Sequence, residues 1–255
     1  MVITGAVTAL LGFGLGGCAG SAATSESGQA GGVRSLTSQE SEALAISRFT
    51  NYDDGVRQVD ATIPDGPDTW RVHGWFDYRE GRGYATLWAD GAATAAALLL
   101  WSDQYLLSHD GSGVSAGELP PLPVPGSPSL LADEDPAWVP TTYAADEFTP
   151  HVALRIIASL GADRPDNPLL LQQSDALRLG TEKLDGVELD VFAGPRPADS
   201  ATDMAASPNT ESATIRYWLD PQGHMHRVEM RLGNAWGSVD LADAATDPEI
   251  PDPTH

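Results

Sequence analysis

Between residues 56 and 109 the chain repeats one pattern: a short stretch of alternating apolar and polar residues, then a tight turn rich in Asp, Gly or Pro. VRQVDATI (56–63) runs into Pro64-Asp65-Gly66-Pro67, TWRVHGWFDY (69–78) into Glu80-Gly81, and GYATLW (83–88) into Asp90-Gly91. ATAAALLLW (93–101) turns at Ser102-Asp103-Gln104 into YLLSH (105–109). Period-two alternation puts every second side chain on one face of a strand. Turns this short join only antiparallel neighbours. In 69–78 the shared face carries Trp70, Val72, Gly74, Phe76 and Tyr78. The 93–101 run is apolar throughout, so as a strand it is expected to be buried on both faces; its length also allows a short helix, but a strand fits the series of hairpins better.

The rest of the chain frames this block with helices and more hairpins. Thr37 followed by Glu40 fits a capping box, with Leu44, Ile46, Phe49 and Tyr52 as apolar contacts of the helix it opens. Residues 110–140, with PPLPVPGSP at 120–128, form a long irregular loop, a lid or a surface excursion. Thr149 as N-cap, Pro150 in the first turn and Gly161 beyond the end mark a second helix, and a short helical segment starts near Pro168. Strands then resume: 176–180 and 187–194 about Leu184-Asp185-Gly186, 213–220 and 224–232 about Pro221-Gln222-Gly223, and 237–243. One helix, about five strands, one or two helices and about five strands imply an α+β fold, an antiparallel sheet with helices on one face.

The N-terminus carries a different message. Residues 2–17 are uncharged and apolar, too short for a confident membrane span, with small residues before Cys18. Leu15-Gly16-Gly17-Cys18 is similar to the bacterial lipobox, which implies cleavage before Cys18 and diacylglyceryl modification of its thiol. The basic opening usual in such signals is missing, the first basic residue being Arg34. The alternatives are an ordinary cleaved signal or a buried helix with an incidental cysteine. The small, polar tract after Cys18 reads as a flexible tether spanning about 24 Å between Ala19 and Thr37. The expected organisation is a signal at 1–17, a lipidated Cys18 and tether at 18–37, a folded domain at 38–243 and a disordered acidic tail at 244–255. Lipid would hold the domain outside the cell, on the outer face of the cytoplasmic membrane.

Charge narrows the partners. There are 36 acidic against 14 basic residues, a net of −22. Such a surface repels nucleic acid and anionic headgroups, and it keeps a surface protein soluble. The single cysteine excludes an intrachain disulfide.

Several phrases in this order resemble the actinobacterial envelope lipoproteins of the LppX/LprG type, related in fold to the LolA carrier: RFTNYDDGV, WRVHGWFDYREGRGYATLW, ALLLW before a turn, LDGVELDVFAGP and RYWLDPQGHMHRVEMRL. The resemblance covers roughly residues 38–243. It implies a strongly curved antiparallel sheet, a half-barrel, whose concave face is covered by helices and encloses a hydrophobic cavity for lipids or acylated molecules. Val72, Phe76, Leu99, Trp101, Ile156 and Leu160 are the expected lining, as apolar residues on inward faces. The alternative is the same half-barrel with its cavity filled, serving as an interaction or sensor module for an envelope protein.

Catalytic and metal readings are weaker. His224 and His226 share a strand face, but Arg227 adjoins them and no third histidine is near in sequence. His73 with Asp77, or His151, would need a serine in a nucleophile elbow, and none is present. Asp133, Glu134 and Asp135 lack the alternating ligand order of a calcium loop. The expectation is a non-enzymatic protein without a cofactor.

Overall fold

The computed structural model describes residues 32–122, 138–144, 147–196, 213–245 and 248–250. Residues 1–31, with Cys18, the expected signal and the greater part of the expected tether, lie outside the described residues, as do the 133–135 acidic cluster and most of the expected tail, whereas residues 32–37 are part of the fold, with Leu36 buried and Thr37 capping a helix.

Twelve strands among the described residues form one antiparallel sheet in the order β1-β8-β9-β10-β11-β12-β2-β3-β4-β5-β6-β7. The first hairpin block is β2 (Val56–Asp65), β3 (Asp68–Asp77), β4 (Arg82–Ala89), β5 (Ala97–Trp101) and β6 (Leu106–Asp110). The second is β8 (Leu177–Leu184), β9 (Val187–Ala193), β10 (Ile215–Leu219), β11 (Met225–Leu232) and β12 (Ala235–Asp243). The blocks join where β12 pairs with β2. The sheet is capped by two very short strands: β1 (Arg34–Ser35) against β8, and β7 (Val139–Thr141) against β6. Asp185 and Gly186 both take positive φ, 51° and 86°, as a two-residue hairpin turn of matching twist requires.

The helices α1 (Ser38–Asp54) and α2 (Thr149–Ala158) lie on one face. Phe76, Leu99 and Trp101 from the first block and Phe192, Leu219 and Val228 from the second join Leu44 of α1 and Leu154 of α2 in one buried cluster. The Trp101 indole N–H donates to the Leu154 carbonyl at 3.2 Å, and α2 also packs on β2 and β11. In a flat sheet β5 and β11 would stand about 24 Å apart, so one ten-residue helix reaches both only because the sheet curves. The result is an open, curved antiparallel sheet with helices in its concavity, an α+β half-barrel.

The other face explains the continuous apolar run on β5. Leu99 and Trp101 point into the concavity, while Leu98 and Leu100 join Trp75, Tyr84 and Ile250 in a second cluster on the convex side. Part of the glycine- and proline-rich segment covers that side: the Tyr84 hydroxyl donates to the Pro121 carbonyl at 2.9 Å and the Thr86 hydroxyl to the Glu118 carbonyl at 2.9 Å. The described part of this loop therefore packs on the convex face, away from α1 and α2.

Local signals act mostly as expected. Thr37 caps α1 and Glu40 closes the box, its carboxylate accepting from the Thr37 N–H at 2.8 Å. The buried face of α1 differs: it is Ser41, Leu44, Ala45, Ser47 and Asn51, while Ile46 is 36% exposed and Phe49 stacks on Tyr52. The cause is a polar network beneath the helix. Asn51 donates to the Leu160 carbonyl at 3.0 Å and accepts from the buried Arg57, which also meets Asp54 at 2.8 Å. At α2 the N-cap position falls one residue earlier, on Phe148, which makes no side-chain cap bond; the Thr149 hydroxyl instead donates to Asp65 at 2.5 Å, tying the helix to the β2–β3 turn.

Candidate functional site

The six inward residues expected to line a cavity fall together. Val72 and Phe76 on β3, Leu99 and Trp101 on β5, and Leu160 just past α2 all belong to the concave cluster, with Ile156 of α2 packed against it. They are tightly held. Val72, Phe76 and Trp101 are fully buried, and the Phe76 and Trp101 rings lie 5.5 Å apart.

Open space lies at the neighbouring end of the same cluster. A pocket of about 430 Å³ sits between α1, the short helix α3 (Pro168–Gln173) and β10. Leu44 and Ser47 of α1, Leu170 and Leu171 of α3, Pro195 after β9 and Tyr217 of β10 form much of its wall, and Arg48, Asp166, Asn167 and Ser174 add polar groups. Its inner wall is continuous with the core, because Leu44 belongs to the concave cluster and Leu171 and Tyr217 pack on it. None of the six residues named above lines this pocket.

Each wall has a local cause. Asn167 caps α3 by accepting from the N–H groups of Leu169 and Leu170 at 3.0 and 3.4 Å, and Pro168 starts the helix. With six residues α3 is too short to be stable alone. The chain before it is pinned to α1 by backbone bonds from Ala162 to the Arg48 carbonyl (3.1 Å) and from Asp166 to the Ala45 carbonyl (2.9 Å). No residue of α3 is buried, and Leu169 and Leu170 are 64% and 65% exposed. Helix α3 is a thin apolar cover, weakly held, over a partly apolar space.

The polar groups at the mouth are largely spoken for. Arg48 donates to the carbonyls of Ser159 (3.0 Å) and Gly161 (3.3 Å) and meets Asp166 at 3.5 Å. Burial pushes the Tyr217 phenol up to about 12, with Arg48 opposing and Asp166 adding to the effect, so it stays a neutral hydroxyl at physiological pH. Ser47 is buried and its hydroxyl donates back to the Leu44 carbonyl at 2.8 Å. The arrangement offers a partly apolar slot rimmed by the Arg48–Asp166 ion pair and by uncharged hydroxyl and amide groups.

The histidines stand elsewhere. His224 contacts Asp220 at 2.9 Å and His226 lies 3.8 Å from the same carboxylate, in and after the β10–β11 turn. His73 faces Asp60 at 3.3 Å rather than Asp77. His151 sits edge-on to Tyr143 and Phe148, its Nδ1 accepting from the Ala144 N–H at 2.9 Å, and burial lowers its pKa. No group of three or more metal-ligating side chains occurs among the described residues.

Sequence reasoning did not single out the pocket, because Ser47, Arg48, Asp166, Asn167 and Ser174 carry no apolar periodicity. The signal available was Asn167-Pro168-Leu169-Leu170-Leu171: a capped start followed by three leucines in a segment too short to bury them.

No protein-family model matches the chain, and no curated protein matches it in sequence. Among solved structures, it is similar to LprF from Mycobacterium bovis, with 12% identity and a TM-score of 0.41 over 86% of this chain and 99% of that one. The Mycobacterium tuberculosis lipoprotein LppX gives 11% identity and a TM-score of 0.41 over 81% and 97%. A Vibrio parahaemolyticus domain named for outer membrane lipoprotein sorting gives 10% and 0.24 over 82% and 92%. The structural neighbours are thus mycobacterial lipoproteins and a lipoprotein-sorting domain.

Proposed function

We propose that the chain is an extracytoplasmic lipoprotein, anchored through Cys18, that binds lipids or acylated molecules without chemistry, with the pocket under α3 as the place where an acyl chain enters. The observation that carries this reading is the pocket itself: about 430 Å³, continuous with the apolar core and roofed by a helix with no buried residue. That volume lies within the range of small-molecule sites. At ~30 Å³ per methylene, the share of a water molecule in the liquid, it holds roughly a dozen. Removing a dozen methylenes from water yields about 10 kcal/mol, and immobilisation offsets ~4–15 kcal/mol of it. Relative to a bilayer, where the chain is already out of water, the exchange comes close to even, which suits a carrier that both loads and unloads. A longer chain would reach Val72, Phe76, Leu99, Trp101, Ile156 and Leu160 by displacing α2.

The test is native mass spectrometry of full-length chain carrying Cys18→Ser, purified from a lipid-containing host and extracted afterwards with organic solvent. Near-stoichiometric lipid, reduced at least tenfold by Leu171→Glu, is the expected result. A second reading is supported by the full burial of Val72, Phe76 and Trp101: a filled half-barrel serving as a protein-interaction module. It predicts a clean apo mass that envelope lipids leave unchanged.

A further inference from the structure

Buried Arg57 is held by its own partners. Arg57 meets Asn51, Asp54 and the carbonyls of Met225, Leu241 and Ala242, which makes it a clasp between α1 and the sheet. The Asp220, His224 and His226 group is an exposed turn with internal pairing. Helix α3 is different, because among the described residues its outermost side chains have nothing to pack on. Leu169 is 64% exposed and is not part of the pocket wall, so neither the core nor the pocket accounts for it.

The chain's own path places this leucine. Strand β1 pairs Ser35 with Leu177 and Arg34 with Arg178, immediately after α3, and Arg34 is locked in place by paired contacts of 2.6 Å to Glu40. Gln172 of α3 donates to the Ser38 hydroxyl at 3.2 Å. The segment leading back to Cys18 therefore leaves the fold beside α3, and the 14 residues from Cys18 to Gly32 allow a root-mean-square reach of only roughly 20 Å. Val33, at this exit, is a further exposed apolar side chain at 49%.

We propose that α3 is a bilayer-docking element: Leu169 dips into the membrane surface at the edge of the fold from which the tether leaves, and so presents the mouth of the pocket to lipid. This rests on the acyl-binding reading of that pocket. Two exposed leucines make a weak and reversible contact, whereas the tether keeps the local bilayer concentration high. With a net charge of −22 the contact is with uncharged or zwitterionic lipid, because anionic headgroups repel the domain.

The experiment uses the chain from position 18 with Cys18→Ser and an N-terminal hexahistidine tag, held on the vesicles by a nickel-chelating lipid that replaces the acyl anchor, so that a cysteine placed by Leu169→Cys is the single thiol and carries an environment-sensitive dye. A matched chain is labelled through Val187→Cys, at an exposed position on the far end of the β8–β9 hairpin, about 23 Å along β8 from Leu177. Both are mixed with phosphatidylcholine vesicles containing acyl-chain nitroxides, and lipid occupancy of the pocket is read in parallel by native mass spectrometry. The expected result is at least twofold stronger quenching at 169 than at 187. Independently, Leu169→Ser should slow lipid uptake from vesicles about tenfold and leave equilibrium occupancy unchanged. Equal, weak quenching at both positions with a lipid-filled pocket overturns docking and leaves the binding reading standing. Selective quenching at 169 with an empty pocket supports docking and overturns the binding reading. Dye protection that grows with protein concentration and without vesicles assigns the surface to a second copy and overturns the proposal.

Discussion

Gly83 lies where β4 passes beneath two rings of the concave core: a Cβ there would come within 2.4 Å of Trp101 and 2.7 Å of Phe76. Gly83→Val should therefore cost about 1–3 kcal/mol through overpacking, seen as a lower urea midpoint with unchanged slope. Glu40 is a residue whose charge state bears on stability. Burial opposes its ionisation, but the Arg34 guanidinium and the Thr37 N–H and hydroxyl outweigh burial and hold it down from the ordinary 4.5 to about 2. A depressed carboxyl contributes stability that is fully present above its unfolded value and is lost as pH falls from about 4.5 towards 2. Glu40→Gln should cost about 1–2 kcal/mol at pH 7, allowing for solvent screening, and should flatten the acid limb of stability between those values. Unfolding curves at pH 7, 4 and 2.5 check both.

At the scale of elements, what was legible depended on how local the determinants are. The hairpins β2–β6 and β8–β12 announce themselves, because alternation and turn residues such as Asp185-Gly186 act over a few positions. Strands β1 and β7 do not: two and three residues long, they exist only because distant β8 and β6 offer free edges. The buried face of α1 was also unreadable as an apolar stripe, since Asn51, Ser41 and Ser47 are buried by hydrogen bonding rather than by hydrophobicity. The pocket escaped for the same reason, being assembled from α1, α3 and β10 with polar residues in half its wall. Thr37→Ala, which removes a cap side chain but leaves the core intact, should cost about 1 kcal/mol, measured by thermal melting. Leu171→Glu places a charge between pocket and core and should abolish acyl binding, whereas the fold, read by far-ultraviolet circular dichroism, persists.

For the whole molecule, one curved sheet does two jobs. Its concave face is filled by α1 and α2 except beneath α3, and its convex face is covered around Trp75 and Tyr84 by Val114, Pro121, Trp138 and Ile250. If the proposed lipid binding holds, the ligand stabilises the fold by mass action, so a lipid at 100 times its dissociation constant should add about 2.7 kcal/mol. Delipidated protein should melt several degrees lower and recover when acyl lipid returns, as calorimetry would show.

The pocket between α1, α3 and β10 is where an acyl chain is proposed to lie. Photo-crosslinking with a diazirine placed mid-chain in a phosphatidylcholine, followed by peptide mapping, addresses it directly. Adducts on the peptides bearing Leu44, Leu170, Leu171 and Tyr217, lost with Leu171→Glu, are the predicted result. Adducts spread over the convex face around Trp75 and Tyr84, or none at all at saturating lipid, would contradict it.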